Sequence, residues 1–206
     1  MMLAAGWRAR SRAETRRLGY RREVSSTSVS IGTAVIELVI GDITRQSVDA
    51  IVTAANEALR GGGGVDGAIH QAAGTGPLAE LREHFPNGTP TGTAVATGAH
   101  DLSARWILHA VGPIWRGGSH GEAELLSGAY RSCLALAVEV GARSVAFPAV
   151  SMGIYGYPPH PAARIAVNTV TEHLRETGAP ELVRFVLFSE ETYDRFADAL
   201  AELAES

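Results

Sequence analysis

Two short stretches of this sequence combine residue types that can do chemistry. The first runs Thr53-Ala54-Ala55-Asn56-Glu57-Ala58-Leu59-Arg60-Gly61-Gly62-Gly63-Gly64-Val65-Asp66-Gly67-Ala68-Ile69-His70. Four consecutive glycines strip the loop of side chains, so backbone N–H groups can approach an anion or a sugar closely. Asp66 and His70 stand four residues apart at the start of a helical pattern and share a face, so a carboxylate and an imidazole can look into one cleft. Asn56 sits where a buried strand ends, the usual place for a functional group in such sheets. The second stretch is Ser151-Met152-Gly153-Ile154-Tyr155-Gly156-Tyr157-Pro158. Its spaced glycines lead into a helix opening with proline, a favoured first helical residue. Free amides at such an N-terminus cradle an anion, and the helix dipole adds ~0.3–1 kcal/mol. The two tyrosines offer flat surfaces for a sugar or a base. The chemistry this indicates is a diphosphate held by backbone.

Each part also has a plain structural reading. Asp66 could serve only to accept backbone N–H bonds at a helix start, a common job for aspartate there. His70 alone fits a packing histidine, and glycine runs often serve only as turns. Their coincidence on one strand–loop–helix unit favours a site.

The surrounding pattern predicts the elements that position these loops. Thr33–Ile40 alternates and then runs apolar into Gly41-Asp42, a strand entering a turn, and Asp49–Ala54 is a second, buried strand. Helical pieces are expected at Val65–Ala73 and Pro77–His84, with strands at Thr93–Ala99 and Arg105–Val111. A long amphipathic helix, Glu122–Val140, is stopped by Gly141. Strand Ser144–Val150, helix Pro159–Glu176, strand Leu182–Phe188 and a last helix around Thr192–Ala204 follow. Alternating strands and helices in the later half indicate an α/β layered fold with buried, mostly parallel strands. Adjacent strands in the early half make the sheet mixed.

Composition narrows the function. The chain has 206 residues, 46% hydrophobic and 19% charged, which fits one domain with its own core. All 18 basic residues are arginine. Without lysine there is no Schiff-base nucleophile, no phosphate-gripping P-loop lysine and no kinase-type ion pair. Cys133 is the only cysteine, which rules out an intrachain disulfide and a multi-cysteine zinc site. Its helical-spaced apolar neighbours mark it as a core thiol, and nothing points to an oxidising compartment. No apolar run approaches the ~18 residues of a membrane span, so a cytoplasmic protein with no membrane partner is expected. Residues 1–28 carry seven arginines against two glutamates, about +5, leaving about −9 on the remainder. That remainder is poorly suited to general nucleic-acid binding, which rests on neutralising phosphates. The leading segment, residues 1–30, reads as an Arg-rich disordered extension, with a transit peptide or a start codon placed too far upstream as alternatives. The expected domain is 31–206. The scattered histidines lack metal-ligand spacing, and no metal or cofactor is called for.

With these residues in view, the chain resembles a macrodomain. The resemblance rests on Gly41-Asp42-Ile43-Thr44, Asp49–Asn56, Gly61–His70, His109-Ala110-Val111-Gly112-Pro113 and Ser151–Pro158, in order, across roughly residues 34–204. It is nearest to the MacroD-type branch, which removes ADP-ribose from proteins. It implies a three-layer α/β/α fold with a central mixed sheet. It further implies that Asp42 binds the adenine amine, assisted by the Ile43 amide. Ser151, Gly153, Ile154 and Tyr155 would wrap the diphosphate from one side, with Tyr155 packing on the distal ribose. Gly62, Gly63 and Val65 would form the opposing loop, and Asn56 would hold the distal ribose hydroxyls. Asp66 and His70 match the acid and histidine associated with hydrolysis, and Phe188 is a candidate for stacking on adenine.

One residue departs from the family pattern. Thr53 stands where Asn-Ala-Ala-Asn commonly begins, supplying a hydroxyl where an amide would donate and accept. A weakened site is one expected consequence. The activity implied is hydrolysis of mono-ADP-ribose from acidic residues of proteins, or of O-acetyl-ADP-ribose. The partners are then ADP-ribosylated proteins or those small molecules. A non-catalytic ADP-ribose reader would need no reactive Asp66. A nucleotide-cofactor oxidoreductase is disfavoured, because the glycines do not form the GxGxxG turn after the first strand.

Overall fold

The computed structural model describes residues 27–204. Seven strands form one sheet: β1 (Thr27–Ile31), β2 (Ala34–Ile40), β3 (Ala50–Ala54), β4 (Ala94–Gly98), β5 (Trp106–Ala110), β6 (Ser144–Phe147) and β7 (Leu182–Leu187). Their order across it is β1-β2-β7-β6-β3-β5-β4. The inner five run parallel, while β1 pairs with β2 and β4 with β5 antiparallel. The sheet is therefore mixed, and its antiparallel strands lie at the two edges.

Five helices cover the two faces. α3 (Glu122–Glu139), α4 (Pro159–Thr177) and α5 (Glu190–Ala204) pack together on one side, where Tyr130, Phe147, Phe185 and Phe196 fill the larger core. Their rings meet in tilted pairs, with Phe185 and Phe196 centroids 4.8 Å apart. α1 (Gly64–Ala73) and α2 (Gly76–His84) lie with β3 and β4 on the other side. Ile51, Ile69, Ile107 and Ala146 form a smaller core there. The result is the expected three-layer α/β/α arrangement with a central mixed sheet.

The differences from the sequence pattern have local causes. β1 is not an element the pattern predicts, because TSVSI is short and half polar. It nevertheless pairs along its length with β2 and begins ahead of the expected boundary at residue 31. The rest of the Arg-rich segment, residues 1–26, lies outside the described residues. β6 stops at Phe147 rather than Val150, since Pro148 has no N–H to give a ladder. Asp42 caps a single 3-10 turn, Ile43–Arg45, after β2.

Candidate active site

Every segment singled out by the sequence leaves the sheet at one edge, beyond the carboxyl ends of the parallel strands. Asp42 follows β2, Phe188 follows β7, the 151–157 loop follows β6, and Asn56 with the glycine run follows β3. Neighbouring strands lie about 4.8 Å apart, so the ends of β2 and β3, three spacings distant, stand roughly 14 Å from each other. That span suits an extended ligand with chemically different ends.

At the β3 end, strand alternation decides which side chains reach the site. β3 and β5 are in parallel register, Ile51 beside Ile107 and Thr53 beside His109. The isoleucines enter the smaller core, and two residues further along the same face carries a hydroxyl and an imidazole. α1 lies across them and buries Asp66, Ile69, His70 and Ala73, one stripe at helical spacing. Asp66 is 2% exposed and His70 8%. Gly67 lets this helix close on its own loop, since a methyl group there would fall 2.7 Å from the Gly62 carbonyl.

Asp66 is not a helix cap. The residue at the cap of α1 is Gly63, which makes no side-chain capping bond, and no backbone amide of the described residues donates to the Asp66 carboxylate. Its Oδ1 instead accepts the Thr53 hydroxyl at 2.8 Å and lies 3.4 Å from His70 Nε2. Its Oδ2 is buried with no partner. A methyl group placed on Gly62 would sit 3.4 Å from that oxygen and 3.7 Å from Asn56 Nδ2, so both groups flank the glycine run. The plain capping reading of Asp66 therefore fails on geometry. Asn56 also braces the loop, Nδ2 donating to the Gly61 carbonyl at 2.8 Å.

His70 rests against His109, ring centroids 5.5 Å apart and 23° from parallel. His109 is fully buried, and burial, reinforced by the neighbouring His70, lowers its pKa to about 3; it stays neutral. The Thr97 hydroxyl donates to the Gly98 carbonyl at 3.2 Å and so accepts from His109 Nε2–H, 2.9 Å away. Asp66, His70 and His109 each present a donor atom within 4.8 Å of one another. The spacing of the histidines along the chain does not show this cluster; the sheet register and the α1 helix bring the three groups together.

The opposite wall is built from backbone. Ser151 holds a positive φ of 65°, uncommon for a residue with a side chain, and its hydroxyl is buried against Gly112. The loop is tied by Tyr157 N to the Ser151 carbonyl (3.0 Å), Gly156 N to the Gly153 carbonyl (3.0 Å) and Trp115 N to the Tyr155 carbonyl (2.9 Å). Among the described residues no backbone carbonyl accepts from the amides of Gly153, Ile154 or Tyr155. Three successive amides are therefore free to donate, and such runs can bind oxyanions. Ile154 is 79% exposed and reaches over the cleft, its Cδ1 3.5 Å from where a methyl group on Gly63 would lie. Burial raises the Tyr155 pKa, and the charges of Glu57 and Asp66 add to the effect, so this ring faces the acidic wall.

At the far end, Asp42 Oδ1 accepts from Thr44 N (2.9 Å) and Thr44 Oγ1 (2.7 Å). Those bonds hold its carboxyl below the usual range. Gly41 N donates to the Leu187 carbonyl, which brings the Asp42 turn beside Phe188. Ile43 is buried beneath it, and Phe188 is 93% exposed, a large ring with nothing on it.

The sequence-derived residues thus lie beyond the carboxyl ends of neighbouring parallel strands, Asn56, Gly62, Gly63, Val65, Asp66 and His70 after β3 and Asp42, Ile43 and Phe188 after β2 and β7. Two contributors escaped chemical reading along the chain. His109 enters only as part of the family motif, and Thr53 only as a departure from it. A histidine inside the apolar strand RWILHAV is the signal that marks the first; the register that sets it beside Thr53 is a property of the folded sheet.

Comparisons with known proteins identify the family. The Macro domain family model matches residues 52–166. A macro domain-containing protein of Streptomyces griseus is 56% identical over 181 residues, covering 85% of this chain and 98% of the relative. The O-acetyl-ADP-ribose deacetylase of Salmonella gallinarum is 52% identical, covering 82% of this chain and 96% of the enzyme. Among solved structures, the Oceanobacillus iheyensis macrodomain with ADP has a TM-score of 0.84 at 42% identity, covering 88% of this chain and 98% of that one. The Trypanosoma brucei macrodomain in complex with ADP-ribose has a TM-score of 0.71 at 43% identity, covering 80% and 68%. In sequence and in backbone alike, this chain belongs to the macrodomain family.

Proposed function

We propose that this protein binds ADP-ribose along the strand-end groove and hydrolyses esters of its distal ribose, in the manner of the MacroD-type branch. The observation that carries this reading is Asp66 Oδ2, a buried carboxylate oxygen left without a partner beside the glycine run. In the broad form the enzyme is an O-acetyl-ADP-ribose deacetylase, supported by the name of the 52% identical relative. In the finer form it also releases mono-ADP-ribose from aspartate and glutamate side chains of proteins.

In this reading the adenine lies on Phe188 with its amine on Asp42 and its ring edge at the Ile43 amide. The diphosphate lies between the Gly62, Gly63 and Val65 side and the amides of Gly153, Ile154 and Tyr155, with Ser151 shaping the turn. An anion held by backbone donors needs no lysine. Tyr155 packs on the distal ribose and Asn56 takes its hydroxyls, which brings the anomeric carbon toward Asp66. A water bound at Oδ2 gives that oxygen its proton while its own oxygen bonds to C1″. The bond from C1″ to the protein carboxylate breaks, and the carboxylate leaves with the bonding electrons. For O-acetyl-ADP-ribose the same water adds to the acetyl carbonyl, the bond from that carbon to the ribose oxygen breaks, the ribose oxygen takes the proton from Asp66 to become a hydroxyl, and acetic acid departs and ionises to acetate. A positioned base contributes ~10²–10⁴-fold, and alignment of water with the reacting carbon adds to it.

The test is release of acetate from O-acetyl-ADP-ribose, and of ADP-ribose from a protein modified on glutamate, by the wild-type chain and by Asp66→Ala. Turnover of both esters, lost in the variant, supports the full reading. Turnover of the small ester alone removes the protein substrate. Tight ADP-ribose binding with neither turnover would make the protein a reader and overturn the hydrolase.

A further inference from the structure

We infer that Thr53 is a positioning residue for this hydrolysis, pinning one oxygen of Asp66 so that the other is held against the glycine run; the inference rests on the reading of Asp66 above. A carboxylate has two equivalent oxygens, and a free one turns between them. Here the two are made unequal. Oδ1 accepts the Thr53 hydroxyl at 2.8 Å and has His70 Nε2 at 3.4 Å, whereas Oδ2 has no partner and borders Gly62.

The donor is itself fixed. Thr53 lies within β3, paired in register with β5 on one side, and is 0% exposed, so water does not compete for its hydroxyl. Its β-branched side chain has little freedom about χ1. On the other side of the carboxylate, His70 is backed by the ring of neutral His109, which is anchored in turn on Thr97. Oδ1 is thus held by a strand hydroxyl from one element and an imidazole from its own helix. A displacement of an ångström in a reacting group costs up to ~10²-fold in rate, so a pinned carboxylate has a kinetic consequence. The residue that departs from the family pattern is, in this chain, the one hydroxyl that donates to the proposed base among the described residues.

The experiment compares steady-state hydrolysis of O-acetyl-ADP-ribose, and ADP-ribose binding by calorimetry, for the full chain and for Thr53→Val, Thr53→Ser and Asp66→Ala. Thr53→Val keeps the shape and removes the donor. Its kcat is expected to fall about tenfold or more, while KM and the ADP-ribose dissociation constant stay within about twofold. Thr53→Ser restores the hydroxyl and is expected to recover kcat to within about threefold of wild type. A merely structural threonine would give the opposite order, since valine fills the site better than serine. Wild-type kcat in Thr53→Val, or equal losses in valine and serine, would overturn the positioning role. Wild-type kcat in Asp66→Ala would instead remove the hydrolytic reading itself, and the inference with it. Should valine prevent folding, Thr53→Cys takes its place: a weak thiol donor is expected to fall below serine, and equality with serine would count against the inference.

Discussion

The two walls of the groove are made of different material. The wall from Asn56 to His70 works through side chains: a carboxylate, an imidazole and an amide, held by threonine and histidine from two strands. The wall from Ser151 to Tyr157 works through the main chain: three open amides on a loop bent by a left-handed serine and a left-handed glycine. A diphosphate asks for many donors at fixed spacing and little else, which backbone supplies without entropy-rich cations. Bond breaking asks for one group in one orientation, which only a packed side chain supplies. The division predicts that damage to the first wall changes turnover, and damage to the second changes binding.

The sharpest test of that division is Asp66→Ala. Loss of the proposed base is expected to lower kcat by roughly 10²–10⁴-fold. ADP-ribose affinity, read by calorimetry, should move no more than a few-fold, because the amides proposed to hold the diphosphate belong to the 151–157 loop. A parallel fall in affinity would mean that Asp66 holds ligand rather than water, and the two walls would not be distinct.

Gly112→Ala should do the reverse. A methyl group there would collide with Ser151 Oγ and fall 2.6 Å from Val150 Cγ1, so the loop must shift. Overpacking of this kind costs about 1–3 kcal/mol. The expected result is ADP-ribose binding weakened about tenfold, with kcat at saturating substrate within about threefold of wild type. An affinity unchanged in this variant would show that the open amides contribute little.

Phe188→Ala probes the far end of the groove with a smaller effect. The ring is 93% exposed, so its removal should leave the melting temperature unchanged. Base–aromatic stacking is worth about 1–3 kcal/mol, and an open platform belongs at the lower end, about a fivefold loss of ADP-ribose affinity. A ligand lacking adenine, such as ribose 5-phosphate, should bind both proteins equally. Loss of affinity for that ligand too would place the ring elsewhere than under adenine.

How far the sequence carried this picture differs between the walls. The main-chain wall was largely legible, because glycine spacing and the proline at a helix start speak directly about backbone; the burial of Ser151 was not, since its hydroxyl packs against Gly112, a residue 39 positions away. The side-chain wall was legible only as far as one element reaches. Asp66 and His70 share a helix face, and their spacing shows it. Thr53 and His109 meet through strand register across 56 residues, which no local pattern encodes. The same limit explains β1: five residues of weak alternation become a strand only because β2 offers an edge, and the inner strands were found because burial on both faces writes itself as apolar runs.

The main-chain wall also leans on a carboxylate side chain, and this is the smallest effect expected. Trp115, which donates to the Tyr155 carbonyl, leads into residues 116–120, and these fold around Glu122. Glu122 Oε1 accepts from Arg116 N (3.0 Å) and Gly118 N (3.1 Å), and Oε2 from His120 N (2.6 Å). Burial by itself would raise its pKa; the backbone donors outweigh that and bring it to about 2. The folded value lies below the unfolded one of about 4.5, so the carboxylate's contribution to stability is complete above pH 4.5 and is lost as pH falls toward 2. Glu122→Gln removes the charge at every pH. At pH 7 it should melt a few degrees below wild type, and the gap should close as pH falls from 4.5 toward 2. ADP-ribose affinity at pH 7 should fall less than in Gly112→Ala, because the brace acts on the amide row through Trp115 alone. A melting-temperature gap that persists at pH 2 would mean that the side chain's packing, and not its charge, supports the loop.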